Sequence, residues 1–476
     1  MNHLLRGGLV VWLVVGLAKA AFGAGFTDAA AFGFSPEASG VANTHALQQA
    51  VDRAGTIVVR QPGVYPIAGT VFVGGNTTLV FSNGVVLKKV AEEGPFTHVL
   101  LNKGALTRTY DEHITIDGLR IQVNGVDVRR FLVYGLHGQV AFFYVKDLRI
   151  EHFRCEDLGR LQYAIHVCRF EDLLVDDVVI KGKKDGVHLG CGRHFVIRNG
   201  EFETGDDAVA LNAHDYSTGN PELGWIEDGL VENCRDLNDP VAHTGYFCRI
   251  LAGAWKDWAP GMRVQQSDTV VSGGRLYRVQ MQPDGKSYPS VTRPTHVSGS
   301  AVVDGITWGV VQSNVTYTAG VRNVTFRHIV LENPRTSFSV HFDNDRFSRS
   351  YYPGAEVPRQ GGLVFADIQV RHRGTLPMFN VATPVDDLQV TGSSIGDGGF
   401  RFVNNRAMHD YGPTAIELAD CTFRHAGEQV LVRNEIPGKR ITLKTSGSHV
   451  TAATFSATVT AGGGNITVDS DLPGLK

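Results

Sequence analysis

Asp185, Asp206 and Asp207 are the residues whose spacing first suggests chemistry. Asp185 opens the segment Asp185-Gly-Val-His-Leu189, and Asp207-Ala-Val-Ala-Leu211 repeats it 22 residues later. Leu173-Leu-Val175 and Phe195-Val-Ile197 keep the same interval. Short β-branched runs at a fixed period, separated by Gly, Asn and Asp, predict stacked parallel coils. Residues one period apart then lie above each other at about 4.8 Å. That stacking brings Asp185 next to Asp207, with Asp206 beside them. Like charges so close resist ionising together, so one carboxyl is pushed toward its protonated form. Cleaving a glycosidic bond needs this division of labour: one acid protonates the leaving oxygen, and a second carboxylate activates water or attacks the sugar. No metal or cofactor is required. The competing reading is a corner whose acids bind backbone amides or a calcium ion.

Further candidates surround the acids. His166 in A-I-H-V-C and His188 in G-V-H-L-G are 22 residues apart and should stack, with Ala210, on the outward face of the coil. There they would contact substrate or tune the acids, or simply form an exposed histidine ladder. His214 and Asp215 follow the acidic strand, and His243, Tyr246 and Arg249 fall near the next coil. Arg249 could pin a hydroxyl or a carboxylate. The substrate-binding candidates are therefore His166, His188, His214, His243 and Arg249, with Tyr216 and Trp225 as cleft walls. Strict alternation would give Asp185 the parity of inward Val187 and Leu189, so the aspartates are placed on the corner before the strand.

The elements that must position these residues read as an all-β solenoid. Ala46, Leu47, Ala50 and Val51 predict a short amphipathic helix capped by Asn43 or Thr44, suited to closing the open end of a stack. Extended segments follow at 56–59, 70–73 and 78–81. Strands of a few residues recur from Ile114 to Leu211 and resume from Val321 to Phe423, with Asn, Asp or Gly at the corners. A β-sandwich is the competitor, but hairpin dipeptides are sparse. The period breaks between about Ala254 and Val311, a segment that holds Trp255, Trp258 and Trp308. It reads as a small inserted β module with turns at Pro294-Thr-His296 and Asp304-Gly305. Its aromatics would build its core, the alternative being exposed rings that stack on sugars. The predicted organisation is a signal peptide over 1–24, solenoid over 25–253, the insert over 254–312, and solenoid with a terminal cap over 313–476.

The totals are compatible with this. The chain has 476 residues, 43% of them hydrophobic, and a formal net charge of -3, which gives no argument for nucleic acid or an anionic membrane as partner. Arg6, the apolar run Gly8 to Leu17 and Ala18-Lys-Ala20 read as a cleavable secretory signal, so the mature protein is expected to be secreted or periplasmic, with no membrane attachment once the signal is removed. Six cysteines in a chain of this length are not a disulfide scaffold. Cys168 and Cys191 could stack, as buried free thiols or as a bridge.

On these residues the chain resembles the polygalacturonase family of glycoside hydrolases, within the pectin-lyase-like superfamily of right-handed parallel β-helices. The family pattern N-T-D followed by G/Q-D-D is matched by Lys183-Lys184-Asp185 and Gly205-Asp206-Asp207. The resemblance implies that Asp206 is the general acid, with Asp185 and Asp207 activating water to invert the anomeric centre. The chain departs from the family at G-H-G, where Ala242-His243-Thr244-Gly245 is nearest, and at R-I-K, where Arg249-Ile250-Leu251 keeps only part of the motif. The expected activity is hydrolysis of a polysaccharide or oligosaccharide that need not be pectin. The alternatives are a calcium-dependent polysaccharide lyase on the same scaffold and a non-catalytic glycan-binding or adhesive solenoid.

Overall fold

The computed structural model describes residues 25–475 except 239–244, 281–285, 346–347, 372–375, 397, 406–411, 424–427, 452–453, 461–463 and 473–474. The signal segment and His243 lie outside the described residues. Most of the rest is strand: one sheet of 32 strands, in which every pairing is parallel, runs through the chain. Ile165 pairs with Val187 and Val187 with Val209, so the 22-residue echo is the register of neighbouring strands. Later pairings span larger separations, Val209 to Cys248 and Cys248 to Phe338, because long excursions leave and rejoin the same ladder.

The corners explain why the chain bends at the same place on each strand. Asp147, Asp172, His194, Asp228 and Asn323 occupy one column and all have φ between 49° and 59°. A single residue in this left-handed region redirects a strand without ending its pairing. Asn, Asp and His are among the non-glycine residues that tolerate that conformation best. Inside the bends, Val, Ile, Leu and Phe side chains form one continuous buried core, with Phe338, Phe379 and Phe400 stacked at centroid separations of 5.3 and 4.5 Å.

The predicted helix is Gly40–Val51, longer than its apolar positions indicated. Ser39, not Asn43 or Thr44, is the N-cap, its Oγ accepting the Ala42 N–H at 3.2 Å. Asn43 is instead buried inside the helix and bonded to Ser35. No helix among the described residues is long and apolar enough to cross a membrane.

Within the aperiodic segment, strands Lys256–Asp257, Thr269–Ser272, Arg275–Val279, Ser300–Val303 and Ile306–Gln312 form a separate five-stranded sheet. Asp304 and Gly305, with φ of 54° and 74°, make one of its two-residue turns, as such hairpins demand. Trp258, Tyr277 and Trp308 are buried in a small core of its own, while Trp255 joins the main core. All six cysteines are buried and free, with Cys168 Sγ 3.9 Å from Cys191 Sγ.

Candidate functional site

Two successive corners build the site. The long strand Tyr163–Gly182 ends just before Asp185, and Gly192–Thr204 ends just before Asp206 and Asp207. The corners stack through their backbones: Gly205 N–H donates to Gly182 O at 2.8 Å and Gly186 N–H to Asp207 O at 2.9 Å. Glycine is needed where they touch. A Cβ on Gly186 would lie 2.5 Å from Ala208 O, and one on Gly245 would lie 2.1 Å from the Asp206 carbonyl carbon. Carboxylate oxygens of Asp185, Asp206 and Asp207 consequently lie within 4.8 Å of one another.

The three acids are not equivalent. Asp206 is the most open, its side chain 26% exposed against 3% for Asp185. Lys184 stands between them, its Nζ 3.2 Å from Asp185 Oδ1 and in contact with Asp206 Oδ2. Burial alone would raise Asp185, but the Lys184 charge and a hydrogen bond from His188 hold its carboxyl well below the usual range. Asp206 is shifted upward by burial and the Asp185 charge, against the pull of Lys184. Asp207 is driven further up by burial and by both neighbouring acids. Its Oδ1 accepts the Tyr246 N–H at 3.0 Å, whereas its Oδ2 is buried with no hydrogen bond. The adjacent pair Asp206–Asp207 therefore gives up its protons less readily than Asp185 does.

The histidines correct the sequence reading. His166 and His188 do stack, but both are fully buried, with no exposed ladder. Residues 213–225 fold back across the strands and cover them. Asn220 Oδ1 accepts from His166 Nε2 at 2.9 Å, and Asp215 Oδ2 lies 3.3 Å from His188 Nε2. His188 Nδ1 donates to Asp185 Oδ2 at 2.8 Å, and its ring stacks on Tyr163 at 4.0 Å. Burial would lower His188, yet its two carboxylate partners raise it. His214 is also fully buried, beside Trp255, and burial pushes it down to about 3. None of the three lines the cavity that opens beside Asp185, which leaves them supporting groups there.

Arg249 is placed differently. It follows Ala210 in the ladder and lines a cavity of about 250 Å³ together with Asp185, Lys184, Tyr163, Asp215 and Tyr216. Its Nη2 donates to Asp343 Oδ1 at 2.7 Å, so its charge is met from within the protein. Tyr216 walls this cavity as expected, but Trp225 lines another, of about 390 Å³, with Tyr110, Arg169 and Cys191. Sequence reasoning passed over Lys184, His137, Arg129 and Gln266, all cavity-lining. Lys184 could have been suspected from its place beside Asp185. His137 and Gln266 carry no comparable signal, since neither sits at the 22-residue period.

No protein-family model and no curated protein matches the chain. Several solved structures are similar to the chain at low identity. A Family 28 exopolygalacturonase of Yersinia enterocolitica is similar at 12% identity over 94% of this chain and 79% of its own, with a TM-score of 0.48. The catalytic unit of an alpha-1,3-glucanase from Streptomyces thermodiastaticus is similar at 15% identity over 97% and 70%, with a TM-score of 0.47. A surface protein and adhesin of Streptococcus pneumoniae is similar at 13% identity over 93% and 99%, with a TM-score of 0.43.

Proposed function

We propose that the protein is an exported glycoside hydrolase, built on a right-handed parallel β-helix whose first end is capped by the helix Gly40–Val51 and whose 254–312 segment is an inserted module. The observation that carries this reading is the trio Asp185, Asp206 and Asp207, with one depressed and two raised carboxyls in a single small volume. An acid with a proton to give beside a carboxylate that has lost its own is what glycosidic cleavage uses.

In this reading Asp206, the most exposed of the three, transfers its proton to the glycosidic oxygen as the C1–O bond breaks. Water then adds its oxygen to C1 and releases a proton to Asp185, the carboxyl of the three whose affinity for a proton is lowered. Lys184 keeps Asp185 ionised and holds Asp206 in reach of it. The oxygens within 4.8 Å are closer than the roughly 6.5–9.5 Å usual between the carboxyls of inverting enzymes. Inversion, implied by the family resemblance, thus gains no support from the spacing, and the first-formed anomer is the measurement that settles it.

The test is a screen of the mature protein and Asp206→Asn on a panel of polysaccharides. New reducing ends from the wild type alone, without the ultraviolet absorption of an unsaturated product, are the expected result. Absorbing products would favour a lyase. Cleavage by neither protein, on any glycan of the panel, would sink the hydrolase reading.

A further inference from the structure

The cavity beside the acids has an uneven supply of hydrogen-bonding groups. Three of its lining residues carry a buried polar atom with no hydrogen bond: Gln266 Oε1, His137 Nε2 and Arg249 Nε. Two of the three are acceptors. For His137 this follows from its other nitrogen, since Nδ1 lies 3.0 Å from Leu161 O and must donate there. Burial pushes the His137 imidazole down to about 3, so Nε2 carries a lone pair at neutral pH. A buried acceptor left unpaired is costly, and a ligand donating to it relieves that cost. Sugar hydroxyls are such donors, and an ionised carboxylate is not.

The charges point the same way. Lys184 is already matched to Asp185 and Asp206, and Arg249 to Asp343. Arg129 is the remaining cation, at the exposed rim, with its Nε donating to Leu161 O at 3.0 Å. Asp185 and Asp215 both line the cavity and both are held ionised. A substrate carboxylate placed inside would face these two anions, and like-charge contact across a binding surface is strongly unfavourable. At about 250 Å³ the space is somewhat smaller than the roughly 300–1,000 Å³ of ordinary ligand pockets, the scale of one ring rather than a chain.

We propose that this cavity binds a single neutral, hydroxyl-rich sugar unit, with His137 and Gln266 accepting hydrogen bonds from its hydroxyls, and that it discriminates against the corresponding uronic acid. The proposal rests on the glycan-hydrolase reading above and names its substrate class. Gln266 comes from the aperiodic segment, which is anchored over the site by Gln265 Nε2 donating to Asp345 O at 3.1 Å and by the Arg349–Asp268 ion pair. The insert thereby takes part in choosing the sugar instead of acting as a remote binding module.

The test uses mature Asp206→Asn protein, to prevent turnover, and two matched pairs: galactose with galacturonic acid, and glucose with glucuronic acid. Binding is followed at neutral pH by saturation-transfer NMR and calorimetry. The neutral member of at least one pair should bind roughly tenfold more tightly than its acid. Gln266→Leu in the same background should weaken that sugar by about tenfold, the worth of one buried hydrogen bond, with thermal melting unchanged. Equal or tighter binding of the uronic acids, no binding in either pair, or no effect of Gln266→Leu would each overturn the proposal. The two readings fail separately. Neutral binding without cleavage of any glycan by the wild type removes the hydrolase and leaves the cavity assignment, whereas cleavage confined to uronides does the reverse.

Discussion

His188 Nδ1 donates to Asp185 Oδ2 across 2.8 Å, beneath the surface of the site. On its far side the same ring meets Asp215 at 3.3 Å, so one buried imidazole is held between two buried carboxylates. Removing one member of such a set leaves an uncompensated charge. His188→Gln should lower the unfolding free energy by about 3–5 kcal/mol in denaturant titrations. Because the folded-state pKa of His188 is raised, its contribution is complete below the unfolded value of about 6.5 and fades as pH climbs through the folded value. The stability gap between wild type and variant should accordingly narrow on the alkaline side.

Asp206→Asn keeps the shape of the side chain and removes the proton. We expect kcat to fall by about 10²–10⁴-fold, with far-ultraviolet circular dichroism and melting temperature close to the wild type. An unchanged kcat would take Asp206 out of the reaction.

Lys184 sets the charge state of both neighbours, holding Asp185 down and pulling against the rise of Asp206. Lys184→Met should let both carboxyls move up. As the rate requires ionised Asp185, the acidic limb of the kcat/KM profile should shift to higher pH, and Lys184→Arg should restore most of it. A limb that stays in place would show that Lys184 is only structural.

The trio of acids also has the makings of a cation site, with an oxygen from each within 4.8 Å of the others. The Lys184 ammonium already supplies the positive charge there, in contact with two of the three. Dialysis against a chelator should therefore leave both activity and melting temperature unaltered. Loss of activity that calcium restores would argue for the lyase.

Arg278, from the aperiodic segment, is fully buried and donates to Tyr216 O at 3.2 Å and Asn220 O at 3.1 Å. These bonds hold the loop that carries Asp215 and walls the cavity. Arg278→Met should cost about 2–4 kcal/mol. It should also raise KM more than it lowers kcat, and speed amide exchange around residues 216–220. Unchanged exchange there would mean that other contacts fix the loop.

Much of the main ladder could be read from the chain because its information is local. One turn of 22 residues maps Ile165 onto Val187 and Val187 onto Val209, so simple counting places Asp185 beside Asp207. The corner residues announce themselves too, since Asp147, Asp172 and Asp228 belong to the few types that accept a left-handed backbone. The same counting put His166 and His188 on an outward face, yet both are fully buried. It could not show that residues 213–225 return over them, because no period describes a loop.

What the sequence determined by itself is the register, and with it the meeting of three acids, since parallel pairing at a constant interval converts position along the chain directly into position in space. The tertiary structure alone decided how those acids differ in their hold on a proton, that the neighbouring histidines are buried, and what encloses the cavity. Those depend on contacts such as Asn220 with His166 and Arg278 with Tyr216, made by segments that leave the ladder and fold back over it. Burial and charge are sums over everything nearby, and for this site the neighbours are gathered by loops that follow no repeat.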